Sequence, residues 1–107
     1  MGWEDVDTGW GRQAAAFAYL IENMHWREYL HLFDQTGVGS GTRYLDIACG
    51  GGLAVRLACE RGAIATGLHA SPRLTAIAAA RSPQATIKTG DMFSLPFDDA
   101  SFDVATS

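Results

Sequence analysis

The chain has few of the features that announce a specialised protein class. It carries two cysteines in 107 residues. Cys49 and Cys59 have no C-x-x-C spacing and no histidine cluster beside them, which argues against a zinc site and against a disulfide framework. No apolar stretch reaches membrane-spanning length, and no charged-then-apolar leader opens the sequence. Runs of like charge are absent too. The 8 basic and 12 acidic residues are scattered, and a net charge of −4 offers no surface for nucleic acid or an anionic membrane. There are no repeats and no low-complexity segments. What is left is the profile of an ordinary globular domain, 48% hydrophobic and 19% charged, with enough residues for one small core. A reducing cytoplasm is the expected compartment, and no metal is expected.

Residues 1–9 read as a loose polar arm. From Trp10 the apolar spacing is helical: Trp10, Ala14, Phe17, Ile21 and Met24 alternate steps of four and three. A second stripe follows at Trp26, Tyr29, Leu30 and Phe33. One broken helix or two short ones are expected before the glycine-rich stretch Thr36–Gly41.

Beyond it the pattern alternates. Strands are expected at Arg43–Ala48, Ala63–Leu68, Ala85–Thr89 and Phe102–Thr106. A helix is expected from Leu53 to Arg61. Another starts at Ser71-Pro72, a capping hydroxyl before a proline at the first helical position, and buries Leu74, Ile77 and Ala78. Such alternation predicts an α/β fold with a parallel sheet and right-handed crossovers. Ligands of such sheets sit beyond the carboxyl ends of the strands. Asp46–Gly52, Leu68–Ala70, Gly90–Met92 and Thr106-Ser107 all fall there. Asp103 reads as a local hydrogen-bonding residue.

The most informative segment is Asp46-Ile47-Ala48-Cys49-Gly50-Gly51-Gly52. It lies between the first strand and the helix that opens at Leu53. Gly50 and Gly52 permit a tight turn and close approach of a ligand, and the new helix presents its N–H groups and positive dipole end to an anion. Against the dinucleotide fingerprint G-x-G-x-x-G/A the run from Gly50 ends in Val55, which crowds the helix–strand contact and disfavours a nicotinamide dinucleotide.

The longer string Tyr44–Gly52 resembles the first motif of the class I S-adenosylmethionine-dependent methyltransferases, D/E-x-A/G-x-G-x-G. Arg61–Ser71 is similar to that family's second strand and following helix cap. Gly90-Asp91-Met92, Leu95-Pro96-Phe97 and Ser101-Phe102-Asp103-Val104 are similar to its adenine loop and fourth strand, nearest to the ubiquinone/menaquinone-type small-molecule branch. The resemblance covers about residues 43–107. It implies a Rossmann-like three-layer sandwich with strand order 3-2-1-4, preceded by N-terminal helices. Residues 1–42 would form a helical lid region, with Trp10 and Phe17 as lid candidates, and 43–107 an S-adenosylmethionine-binding half-domain.

By resemblance Asp46 would hold the amino group of S-adenosylmethionine. Ala48, Cys49, Gly50 and Gly52 would lie along its carboxylate and ribose, and His69 and Ala70 at the ribose. Asp91 and Met92 would meet the adenine, with Ser107 closing the site. No catalytic residue is assigned. His69 departs from the pattern, because that position is usually an acid accepting from both ribose hydroxyls. Losing a charge-assisted bond costs roughly 1.5–3 kcal/mol, about ten- to hundredfold in affinity.

The resembled fold has seven strands ordered 3-2-1-4-5-7-6, of which this chain supplies four. The fourth strand is therefore expected at an edge, inviting a homodimer or a second polypeptide that completes the sheet. The first functional expectation is the cofactor-binding half of a small-molecule methyltransferase. The alternative is a non-catalytic S-adenosylmethionine- or nucleoside-binding module that dimerises through that edge.

Overall fold

Strand order and crossover handedness account for most of the architecture. The computed structural model describes residues 25–98 and 100–107; the Trp10–Met24 stripe and the lid candidates Trp10 and Phe17 lie outside them. Helix α1 (Trp26–Thr36) carries the second apolar stripe, with Phe33 fully buried. Strands β1 (Arg43–Ile47), β2 (Ile64–His69), β3 (Thr86–Thr89) and β4 (Val104–Thr106) pair in parallel in one sheet ordered β3-β2-β1-β4. Both the α/β class and the 3-2-1-4 order are as expected from the sequence.

The steps β1 to β2 to β3 move the same way across the sheet. Right-handed crossovers then put their helices, α2 (Leu53–Glu60) and α3 (Pro72–Arg81), on one face. Helix α1 joins them: the Phe33 ring meets Tyr44 edge-on at 5.2 Å, and both sit in one core cluster with Leu53, Val55 and Leu57. Arg61 fastens α1 to the end of α2, pairing with Asp34 at 2.8 Å and donating to the Leu30 carbonyl. Each large apolar side chain so buried contributes about 1.5–3 kcal/mol relative to exposure.

The connection from β3 to β4 reverses direction, so it crosses the opposite face. Among the described residues that crossover is a strap rather than a helix. Phe97 and Phe102 stack edge-to-face at 5.2 Å, and with Leu95 they line a small hollow over Leu45. Lys88 sets its ammonium 5.2 Å over the Phe97 ring. The sheet thus has helices on one face and an aromatic strap on the other.

Val55 reveals how the helix–strand contact tolerates a branched side chain. A Cβ built on Gly67, in the middle of β2, would lie 3.1 Å from Val55 Cγ2 and 2.9 Å from Cys49 Sγ. The small residue that this close approach requires is therefore on the strand instead of the helix. Helix α3 starts as its sequence predicts: Ser71 Oγ accepts from the Leu74 N–H at 3.3 Å, and Pro72 takes the first helical position. It buries Leu74 and Ala78, leaves Ile77 half-buried, and adds Thr75 to the buried set.

Strand β4 is shorter than the expected Phe102–Thr106, because Phe102 is held in the strap and Asp103 turns toward β1. Asp103 is not the local hydrogen-bonding residue its sequence context suggests. Its carboxylate accepts from the Arg43 backbone N–H and from the Arg43 guanidinium, each at 2.8 Å. These bonds hold the Asp103 carboxyl down at about 2, and the same partnership raises Arg43. Among the described residues no helix is long and apolar enough to cross a membrane.

A carboxylate depressed by folding stabilises the fold above its unfolded value and loses that contribution as it protonates. Urea midpoints should therefore fall as pH drops from 3.8 toward about 2. Asp103→Asn should show a shallower fall over that window; a slope equal to wild type would exclude the pair as a contributor.

Candidate functional site

The glycine-rich turn is built from constraints on three sides. Strand β1 delivers Asp46 at its carboxyl end, only 5% exposed. The chain then bends through Ala48, which adopts a positive φ of 62° without being glycine. That conformation costs an L-residue about 1–2 kcal/mol, and such strain clusters at functional turns. Cys49 N–H then donates to the Leu68 carbonyl at 2.9 Å, pinning the turn to β2.

Gly52 caps α2 with φ 84° and has no side chain to satisfy the first-turn N–H groups. A Cβ there would lie 2.6 Å from Ala78 Cβ, so this glycine also lets α2 begin against the side of α3. Arg81, in the last turn of α3, donates to the Gly51 carbonyl at 3.1 Å. The turn is thereby clamped to α3 as well as to β2.

Asp46 sits in a hydrogen-bond relay. Thr106 Oγ1 donates to Asp46 Oδ1 at 2.9 Å, and Tyr44 Oη shares a hydrogen bond with the same Thr106 oxygen. Because Thr106 spends its hydrogen on the carboxylate, the phenol must be the donor in the second bond. Tyr44 and Asp46 lie two apart on β1, so they share a face, and Thr106 is the register partner of Asp46 on β4. Burial first, and the Asp46 charge second, push the Tyr44 hydroxyl far above its ordinary value, so the phenol keeps its proton.

The strand ends converge as expected. His69 ends β2, and its carbonyl accepts the Gly90 N–H at 3.0 Å. Its ring Nδ1 accepts the Ser71 N–H at 2.9 Å. Ala70 is buried beside it. After β3, Asp91 is half-buried and its Oδ1 accepts the Phe93 N–H at 2.9 Å, with Met92 exposed between them. Three hydrogen-bond links, Thr106–Asp46, Cys49–Leu68 and Gly90–His69, therefore run across the carboxyl end of the sheet. Cys49, Gly50 and Gly52 are buried in the turn, and Ser107 is exposed just past β4. Sequence reasoning placed Thr106 at a strand end but not its bond to Asp46, and it missed Tyr44 and Arg81. Thr106 had a readable signal, a hydroxyl in strand alternation at the end of the strand beside Asp46. Arg81 had none, since its contact depends on where α3 ends.

The comparisons with known proteins decide the family. Residues 45–107 match the methyltransferase-domain family. This chain belongs to the class I S-adenosylmethionine-dependent methyltransferases. S-adenosylmethionine is the cofactor of that family. An uncharacterized methyltransferase of Synechocystis is 37% identical over 71 residues, covering 66% of this chain and 34% of the relative. Demethylmenaquinone methyltransferase of Tropheryma whipplei is 34% identical over 89 residues, covering 78% of this chain and 35% of the relative. The methyltransferase-family chain thus spans about a third of the length of these curated relatives.

Among solved structures, the complex between the Haloferax volcanii Trm112 methyltransferase activator and a methyltransferase matches with TM-score 0.81 and 29% identity. It covers 92% of this chain and 46% of that one. A Geobacter sulfurreducens S-adenosylmethionine-dependent methyltransferase, solved with S-adenosylhomocysteine, matches with TM-score 0.61 and 28% identity, covering 68% of this chain and 32% of that one.

The relay and the turn make separable predictions for stability. Thr106→Val leaves the Asp46 and Tyr44 oxygens short of a partner and should cost about 1–3 kcal/mol in chemical denaturation. Gly52→Ala should destabilise by more than the roughly 1 kcal/mol of an ordinary helix-end change, because its Cβ meets Ala78; a neutral result would show that α2 and α3 can separate without loss.

Proposed function

We propose that this chain forms the S-adenosylmethionine-binding part of a methyltransferase that acts on a small molecule. The observation that carries the reading is the buried Asp46 carboxylate, held by Thr106 at the mouth of a turn whose helix starts on an uncapped glycine. The donor set suits a zwitterionic amino-acid group. A carboxylate takes the ammonium in a charge-assisted hydrogen bond, and helix N–H groups with the positive dipole end take the carboxylate.

In this reading Asp46 holds the cofactor's amino group. The backbone of Ala48, Cys49, Gly50 and Gly52 follows its methionine and ribose portions, and His69 and Ala70 stand at the sugar. Asp91 accepts from the adenine amino group, Met92 lies against the ring, and Ser107 borders the site. The bound cofactor supplies a methyl group on a positive sulfonium. The chain's own contribution is positioning, which is a large part of what such a displacement requires. The hydrogen bond from Thr106 holds the Asp46 carboxylate in place, so the acceptor is organised before the ligand arrives.

A small-molecule acceptor is supported by the Tropheryma relative, whose name specifies a demethylmenaquinone substrate. A protein partner is supported by the Haloferax complex, which includes an activator. Cys49 and Cys59 form no disulfide, which suits a reducing cytoplasm.

Calorimetric titration with S-adenosylhomocysteine tests the site. Asp46→Asn keeps an oxygen for Thr106 but removes the charge, and should weaken binding by about 1.5–3 kcal/mol, roughly ten- to hundredfold. Undiminished affinity would refute the placement of the amino group, and no saturable heat with wild type would refute the cofactor reading.

A further inference from the structure

Tyr44 puts a hydroxyl into the apolar core. The residue is fully buried, its ring meets Phe33 edge-on at 5.2 Å, and it belongs to the core cluster with Leu53 and Val55. A phenylalanine has the same ring and no polar atom to bury, and a buried hydroxyl costs free energy unless it finds a partner. The Tyr44 hydroxyl finds one on another strand, the Thr106 oxygen, 62 positions along the chain.

Each hydroxyl of this pair has a set direction. Thr106 has one hydrogen, and it goes to Asp46 Oδ1 at 2.9 Å. The phenol hydrogen points at the Thr106 oxygen, which disfavours a Thr106 hydrogen turned back toward Tyr44. Hydrogen bonds in a chain polarise one another, so the phenol also makes Thr106 a better donor. Strand register places the parts. Asp46 is paired with Thr106 and Tyr44 with Val104, so Thr106 reaches both β1 side chains from one point on β4. An ionised carboxylate has about four lone-pair sites, so the Thr106 bond occupies only part of the capacity of Asp46.

We infer that Tyr44 is a positioning residue for the amino-acid end of the cofactor. It touches no ligand. From inside the core it holds the Thr106 hydroxyl toward Asp46, and through that bond it sets the direction of the carboxylate that takes the ammonium. The inference rests on the cofactor reading above and adds a residue outside the cradle on which ammonium recognition depends. The effect is confined to that end of the ligand, because the relay reaches Asp46 alone and no residue assigned to the sugar or the base.

Two probes with and without the amino-acid group test this on the full chain. Titrations followed by NMR chemical shifts, which read weak as well as tight binding, would use S-adenosylhomocysteine and 5′-methylthioadenosine; the second keeps the nucleoside and lacks the amino-acid group. Tyr44→Phe should weaken S-adenosylhomocysteine by about three- to tenfold and change 5′-methylthioadenosine by less than about twofold. Equal weakening of both probes would mark a general packing defect and overturn the inference, as would unchanged binding of S-adenosylhomocysteine. A double variant separates positioning from stability. Thr106→Val strands the buried Tyr44 hydroxyl, and adding Tyr44→Phe removes it. The double variant should therefore regain stability in urea while its affinity for S-adenosylhomocysteine stays as low as that of Thr106→Val. Affinity that recovers together with stability would overturn the inference and leave the cofactor reading intact. Failure of wild type to bind S-adenosylhomocysteine would overturn both.

Discussion

A carboxylate almost removed from water is the constraint on which this structure turns. An isolated buried charge is costly, and it persists only where donors replace its hydration. Thr106 is one donor to Asp46, reaching it from β4, and Tyr44, two residues before Asp46 on β1, stands behind Thr106. The relay spans the junction between β1 and β4, the place where strand order reverses. Asp46 thus links β1 to β4 at the mouth of the glycine-rich turn, so its place in the fold coincides with the place proposed for it in the site.

Close approach is the second theme, and it is distributed differently from what a motif suggests. In the dinucleotide pattern the small residue sits on the helix. Here the helix carries Val55, and the strand yields by having Gly67 opposite it. The same exchange occurs between helices, where Gly52 gives way to Ala78. Packing demands that one member of each contact be small, but it does not dictate which. A pattern scored on one side of the contact can therefore fail while the geometry it stands for is intact.

This explains how far the sequence could be read. Alternating periodicity was enough for the α/β class and a parallel sheet, while the 3-2-1-4 order followed from the family resemblance carried by Tyr44–Gly52 and Gly90–Val104. The candidate residues on the strand ends were legible for the same reason. The roles of Tyr44 and Arg81, and the bond that Thr106 makes to Asp46, were not, since each depends on a partner on a different element, sixty or thirty positions away. The span of β4 was overestimated because Asp103 and Phe102 have better partners off the strand than on it. His69 was visible as a departure from the family pattern, but the bond its ring Nδ1 accepts from the Ser71 N–H is a backbone contact that composition cannot reveal.

The clamp from Arg81 to the Gly51 carbonyl couples two places that differ in their tendency to open. Helix ends fray readily, whereas a turn sewn to a central strand does not. By reaching from the last turn of α3 to the turn before α2, Arg81 ties the looser region to the tighter one, so that fraying of α3 there costs the turn a hydrogen bond. The turn is thereby held by contacts on both α3 and β2 and is not a loop laid over a scaffold.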